Sequence, residues 1–157
     1  MPDKPSPIPD TYRRVTPALV IKGAEEALKF YADVFGASER MRFPAPDGKI
    51  AHAEITIGDS VIIVEDEFPE RGTKAPPAGG LEGTPCFQFI YVEDVDATID
   101  KAVKLGAKLQ RAAETQFYGD RDGYIVDPFG HGWTIASHVE DVPGDQLMER
   151  MAEMMQG

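Results

Sequence analysis

The sequence predicts an α+β fold made of two tandem β-α-β-β-β modules. Three observations predict it. The same order of elements is read twice along the chain. The first helix ends in Phe35-Gly36-Ala37 and the second in Leu105-Gly106-Ala107, so both close on a glycine suited to the left-handed cap. Ile21 aligns with Val92 at almost the same separation as Gly36 with Gly106, as an internal duplication requires.

The elements follow in order. Residues 1–12 hold four of the prolines in the chain and no apolar run, which predicts an extended arm without a signal peptide or membrane span. Thr16 to Ile21 has the β-branched content of a first strand, with Pro17 near its start where the missing N–H costs least. Ala24, Ala27, Leu28, Tyr31 and Phe35 recur at helical spacing, with Glu25 and Glu26 in the first turn, and predict a helix over 24–35. Ser38 to Phe43 reads as a strand. After the loop Pro44 to Lys49, strands over Ile50–Ile57 and Ser60–Glu65 meet at the turn Gly58-Asp59 and complete a module over 13–66.

Residues 67–84 are rich in Pro and Gly and predict a linker. The second module, 85–142, opens with a strand over Cys86–Val92. Asp94 is a fitting N-cap for a helix bearing Val95, Ile99, Ala102 and Val103. Lys108 to Arg111 supplies another strand and Ala112 to Asp122 a loop. The turn Asp127-Pro128-Phe129-Gly130 then joins the last two strands. Residues 143–157 form a terminal helix with Leu147, Met148, Met151, Met154 and Met155 on one side, a stripe expected to be covered by the body or by a second subunit.

Strand parity sorts the polar residues. Ala51, Ala53, Ile55 and Ile57 share one face, leaving His52, Glu54 and Thr56 on the other. In the last strand Trp133 and Ile135 belong to the core, while Thr134, Ala136 and His138 face away from it.

Composition narrows the partners. With 27 acidic against 16 basic residues and a net charge of −11, the chain has no basic stripe for phosphates, so neither nucleic acid nor an anionic membrane is an expected partner. Cys86 is the only cysteine, which forbids an internal disulfide and suits the reducing cytoplasm; it is expected to be a small buried hydrophobe. His52-x-Glu54 with Pro85-Cys86 lacks the second cysteine of a zinc deaminase, and there is neither a Gly-x-Ser-x-Gly elbow nor a phosphate-binding glycine loop.

Paired modules with Phe30-Tyr31…Phe35-Gly36-Ala37 and Asp127-Pro128-Phe129-Gly130-His131 resemble the vicinal oxygen chelate superfamily, which includes glyoxalase I, extradiol dioxygenases and the bleomycin- and fosfomycin-resistance proteins. His52 to Asp59, Phe117 to Arg121 and the Asp-Pro-Phe-Gly-His turn look most like its PhnB-like branch, and the resemblance spans about Arg13 to Val142. It implies one compact domain whose modules curl into a mixed-sheet cup with helices on the convex side, and a homodimer. It also implies four metal-ligand positions, which fall here on Thr16, Ile63, Phe87 and Thr134. A divalent cation needs carboxylates or imidazoles, so no cofactor is expected at those positions.

The resemblance places Thr16, His52, Glu54, Phe87, Phe89, Tyr118, Arg121 and Thr134 around a small aromatic or hydrophobic ligand, as in the bleomycin-resistance members. The interleaved aromatics and guanidinium of Gln116 to Arg121 suit closure over such a molecule; as a plain surface loop, Arg121 would instead pair with Asp120 or Asp122. The alternative is a metal-dependent lyase, isomerase or dioxygenase with a displaced divalent metal at His52, Glu54, Glu65 and His138.

Overall fold

A computed structural model describes residues 4–157 and realises the element order twice, in two compact units, one ending at Ala75 and the other beginning at Pro76. In the first unit, β1 (Ala18–Ile21), α1 (Ala24–Phe35), β2 (Ser38–Pro44), β3 (Ile50–Ile57) and β4 (Ser60–Asp66) form a four-stranded sheet of order β1-β4-β3-β2 with one helix. The second unit has β5 (Gln88–Tyr91), α2 (Val95–Lys104), β6 (Lys108–Thr115), β7 (Asp120–Val126) and β8 (Gly132–His138), in the order β5-β8-β7-β6. In each sheet the first and last strands of the unit pair parallel and the remaining pairs are antiparallel. Repetition of this mixed topology is what a duplicated module produces.

Helix α1 buries Ala24, Ala27, Leu28, Phe30, Tyr31 and Val34, each large one worth roughly 1.5–3 kcal/mol of transfer free energy. Gly36 caps it at φ 67°, donating to the Ala32 carbonyl, while Ala37 donates to that of Tyr31. The side chain of Asp94 caps α2 by accepting from the Ala97 N–H at 2.9 Å. The core lies between each helix and one face of its sheet. Ala53, Ile55, Ile62 and Val64 share that face in the first unit; Ile125, Trp133 and Ile135 share it in the second. A Cβ on Gly123 would overlap Ile99 of α2, so close packing of helix on strand requires glycine there.

Several sequence expectations are corrected. β6 continues to Thr115, so the loop expected over Ala112 to Asp122 shrinks to a turn closed by Gly119 N–H donating to the Gln116 carbonyl at 3.1 Å. That strand is an exposed sheet edge with two register shifts, and it carries no alternating pattern to betray it. β5 starts at Gln88, which leaves Cys86 before the strand and exposed rather than buried. The strand expected over Ser60–Glu65 runs one residue further, to Asp66, and the linker that follows it contains a 3₁₀ turn, Pro69–Arg71.

The terminal helix α3 (Gly144–Gln156) forms, yet none of its residues is buried, so the chain's own body does not cover the methionine stripe. It is tied down by Arg150, which donates to both carboxylate oxygens of Glu140 at 2.9 and 2.6 Å. No helix among the described residues is long and apolar enough to cross a membrane.

Candidate functional site

Each sheet has a face turned away from its helix, and the chemistry-bearing residues collect there. On the first sheet, β3 presents His52 and Glu54 side by side, as its two-residue period dictates. Glu54 is only 4% exposed. Its carboxylate accepts the Tyr12 hydroxyl on both oxygens, at 2.9 and 3.0 Å, and lies 3.0 Å from His52 Nε2 and 3.4 Å from Arg40 Nη1. Burial alone would raise the Glu54 pKa. Hydrogen bonds from His52 and Tyr12, with the charge of Arg40, outweigh burial and hold it below the usual carboxylate range. The same hydrogen bond raises the Tyr12 phenol.

The Arg40 guanidinium also sits 4.8 Å from the centroid of the Tyr12 ring. Phe43 pairs with His52 in register, with ring centroids 6.1 Å apart, and extends this face outward. Thr16 is half-buried just before β1, and Glu65 half-buried on β4.

The second sheet carries aromatics. Phe87, just before β5, and Phe89 and Tyr91 within it are 50%, 49% and 62% exposed. Phe89 and Tyr91 stand 5.3 Å apart and Phe87 meets Tyr124 edge-on at 5.9 Å. Thr134 is buried on β8, in register with Phe89 on one side and Tyr124 on the other.

Beneath the aromatics lie two buried carboxylates that the sequence reading missed, Asp120 and Asp122. Asp122 accepts the Tyr118 hydroxyl at 2.5 Å and pairs with Arg111 at 2.6 Å. Burial first, and this hydrogen bond second, push the Tyr118 phenol up to about 12. Asp120 accepts the Tyr91 hydroxyl at 2.7 Å and meets His138 Nδ1 at 2.7 Å, while His138 Nε2 meets Asp141 at 2.8 Å. Parity was the available signal, because Asp120 and Asp122 lie opposite His138 and Ala136 on β8.

Arg121 points the other way. The longer β6–β7 hairpin makes it a strand residue on the helix side, where it forms a bidentate pair with Asp96 of α2 at 2.9 and 2.8 Å rather than with Asp120 or Asp122. Its guanidinium thus fixes β7 to α2.

The His138 pKa is raised by its hydrogen bonds to Asp120 and then Asp141. Because the folded value lies above the unfolded one, the stabilisation is fully present below the ordinary histidine pKa and is lost as pH rises through the folded value. Thermal melts from about pH 6 to about pH 9 should therefore show the advantage of the native chain over His138→Gln shrinking with rising pH. A constant difference would mean that protonation of His138 is not linked to folding.

The four positions matched to the family's metal ligands, Thr16, Ile63, Phe87 and Thr134, offer two hydroxyls, an alkyl group and a phenyl ring, a donor set that does not suit a divalent ion. Among the described residues, no three or more His, Cys, Asp or Glu side chains gather as a metal would require. Glu54 and His138 of the displaced set are each engaged already, Glu54 by His52 and by Tyr12 from the segment before β1, and His138 by Asp120.

Two units of mixed β-α-β-β-β topology, each with a polar or aromatic helix-free face, define the glyoxalase-like class of α+β proteins. The sequence profile of the Glyoxalase/Bleomycin resistance protein/Dioxygenase superfamily matches residues 14–135, and the chain belongs to that superfamily. An uncharacterized protein of Mycobacterium bovis is 37% identical over 144 residues, 91% of this chain and 95% of that one. Among solved structures, TioX from Micromonospora is 23% identical at a TM-score of 0.61, covering 81% of this chain and 99% of TioX. The PhnB protein of Bacillus cereus is 17% identical at a TM-score of 0.62, over 80% of this chain and 99% of that one. These two likenesses are of fold.

Proposed function

We propose that this protein binds a small aromatic or hydrophobic molecule on the helix-free faces of its sheets, without a metal at the positions its superfamily commonly uses. The observation that carries this reading is the edge strand β5, which holds Phe87, Phe89 and Tyr91 on or beside one face, each about half exposed. Exposed aromatics arranged in a row are costly in water unless something flat covers them. Tyr118 and Thr134 frame the row, His52, Glu54 and Thr16 are the corresponding groups on the first sheet, and Arg121 contributes by holding β7 on α2. The exposed Met148, Met151, Met154 and Met155 of α3 support contact with a second copy in a homodimer.

Titration of the native chain with a neutral bicyclic aromatic probe, followed by calorimetry, tests this. Phe89→Ala should weaken binding by about tenfold, or about 1.4 kcal/mol, with little change in melting temperature because the side chain is already half exposed. The same sample should scatter light as a dimer of the 17.2 kDa chain and contain no stoichiometric metal after purification without added ions. Unchanged affinity in both Phe87→Ala and Phe89→Ala would remove the aromatic reading. Stoichiometric zinc, nickel, manganese or iron would replace it with the metal-dependent enzyme.

A further inference from the structure

We infer that the helix-free face of the first sheet carries a phenol-binding site which the chain closes with its own Tyr12. This rests on the reading that the helix-free faces receive small aromatic molecules, and it names the class of molecule for one of them.

Tyr12 comes from the segment before β1, whose residues 4–11 and 13–15 are all exposed. Its phenol is therefore the anchor of that segment: the hydroxyl is held by both oxygens of Glu54 and the ring by the Arg40 guanidinium. Nearby, Arg13 and Asp59 form only an exposed pair at 3.5 Å, which contributes little.

The receiving group is the unusual partner. Glu54 is a buried carboxylate on the central strand β3, and a buried charge is tolerated only with hydrogen-bonding partners. His52 and Arg40 meet it from the sheet itself, and the remaining donor comes from a separate piece of chain 42 residues away. Arg40 Nη1 is buried and faces Glu54 as an ion pair at 3.4 Å but makes no hydrogen bond, so the Tyr12 phenol fills the place without satisfying every buried donor around it.

Any phenol of the right size presents the same hydroxyl and ring as Tyr12. Its binding would release the segment, and the closed population would lower the apparent affinity of the native chain. An intramolecular stand-in of this kind makes the open form the binding-competent one.

The probe is 4-methylphenol, the tyrosine side chain detached from its backbone, titrated by calorimetry and by the ring resonances of His52. Tyr12→Ala should bind it about tenfold tighter than the native chain. Glu54→Gln placed on the Tyr12→Ala background should abolish that gain. 4-Methylanisole, which has no hydroxyl to donate, should show neither the gain in Tyr12→Ala nor the dependence on Glu54, whatever it binds at the aromatic face of β5.

A test on the native chain needs no substitution: 4-methylphenol should accelerate tryptic cleavage after Arg13 and Arg14, and 4-methylanisole should not. Equal affinity of the native chain and Tyr12→Ala for 4-methylphenol, an equal gain of the two probes in Tyr12→Ala, or an unchanged cleavage rate each overturns the inference. Binding that ignores Tyr12 and Glu54 but is lost in Phe89→Ala overturns it while supporting the aromatic face of the second sheet. The converse result supports the phenol site and sinks the β5 reading.

Discussion

Trp133→Ala is expected to lower the unfolding free energy by about 3–5 kcal/mol. The indole stands on β8, which is paired on both sides, and it is only 1% exposed, with Gln88 and Ile125 beside it in register. Alanine removes most of the side chain from a place where the neighbours, fixed in a sheet and under α2, cannot collapse to fill the void. A second loss adds to the cavity. Trp133 Nε1 donates to Asp127 Oδ2 at 2.9 Å, and Asp127 Oδ1 accepts the Phe129 and His131 N–H groups at 2.9 and 3.0 Å. The indole thus helps hold the carboxylate that shapes the β7–β8 turn.

Trp133→Phe separates the two contributions, since it restores most of the volume but not the donor; it should lose about 1–3 kcal/mol. Urea denaturation followed by circular dichroism reads both. A Trp133→Ala loss below about 1 kcal/mol would mean that β8 is inverted and that the polar residues of this strand, not the indole, face the helix.

The core was legible in the sequence wherever one period ran unbroken. Trp133 and Ile135 alternate with Thr134 and Ala136, and the structure puts the first two in the core of the second unit. The helical spacing of Ala24, Ala27, Leu28 and Tyr31 gives α1 with its bounds intact, because Gly36 adopts the left-handed cap that the sequence suggested.

Legibility failed at the edges. β6 is mostly exposed along its length and has two register shifts, so its continuation through Ala112 and Ala113 carries no burial pattern. That one omission turned the hairpin into a loop and concealed that Arg121 lies on the strand face toward Asp96. The stripe on α3 was legible as apolar, but a period says which residues share a side and not what lies against it.

Site chemistry was half legible for a related reason. His52 and Glu54 are two residues apart on one strand, so parity alone brings them together. Tyr12 and Arg40 reach Glu54 from elsewhere in the chain, and a proline-rich segment offers no periodicity from which such a contact follows. Asp120 and Asp122 lay within reach of the same parity argument once β7 was extended to its true start.

Asp66→Ala should cost about 3 kcal/mol or more, the second large effect expected in this protein. The sequence ends the strand at Glu65 and leaves Asp66 as the last, unassigned residue of the first module, whereas it is the last residue of β4 and is buried. Oδ1 accepts the N–H groups of Gly23 and Ala24 at 3.1 and 2.9 Å, and Oδ2 accepts that of Ile50 at 2.7 Å. One carboxylate therefore supplies the cap that α1 lacks from its own Gly23, places a negative charge at the helix N-terminus, and pins the start of β3.

Ala24 and Ile50 are buried, so water cannot replace the lost acceptor at their amides without opening the core. Asp66→Asn keeps an oxygen for the helix amides but turns an NH₂ toward Ile50, and roughly half of the loss is expected. Hydrogen exchange provides the localised check: the amides of Ala24 and Ile50 should lose protection in Asp66→Ala, while those of β7 and β8 keep theirs. Because Ile50 begins the strand on which His52 and Glu54 stand, the same variant should also weaken 4-methylphenol binding in the Tyr12→Ala background. Full stability in Asp66→Ala would show that the three amides find water, and that α1 and β3 are positioned by their apolar faces alone.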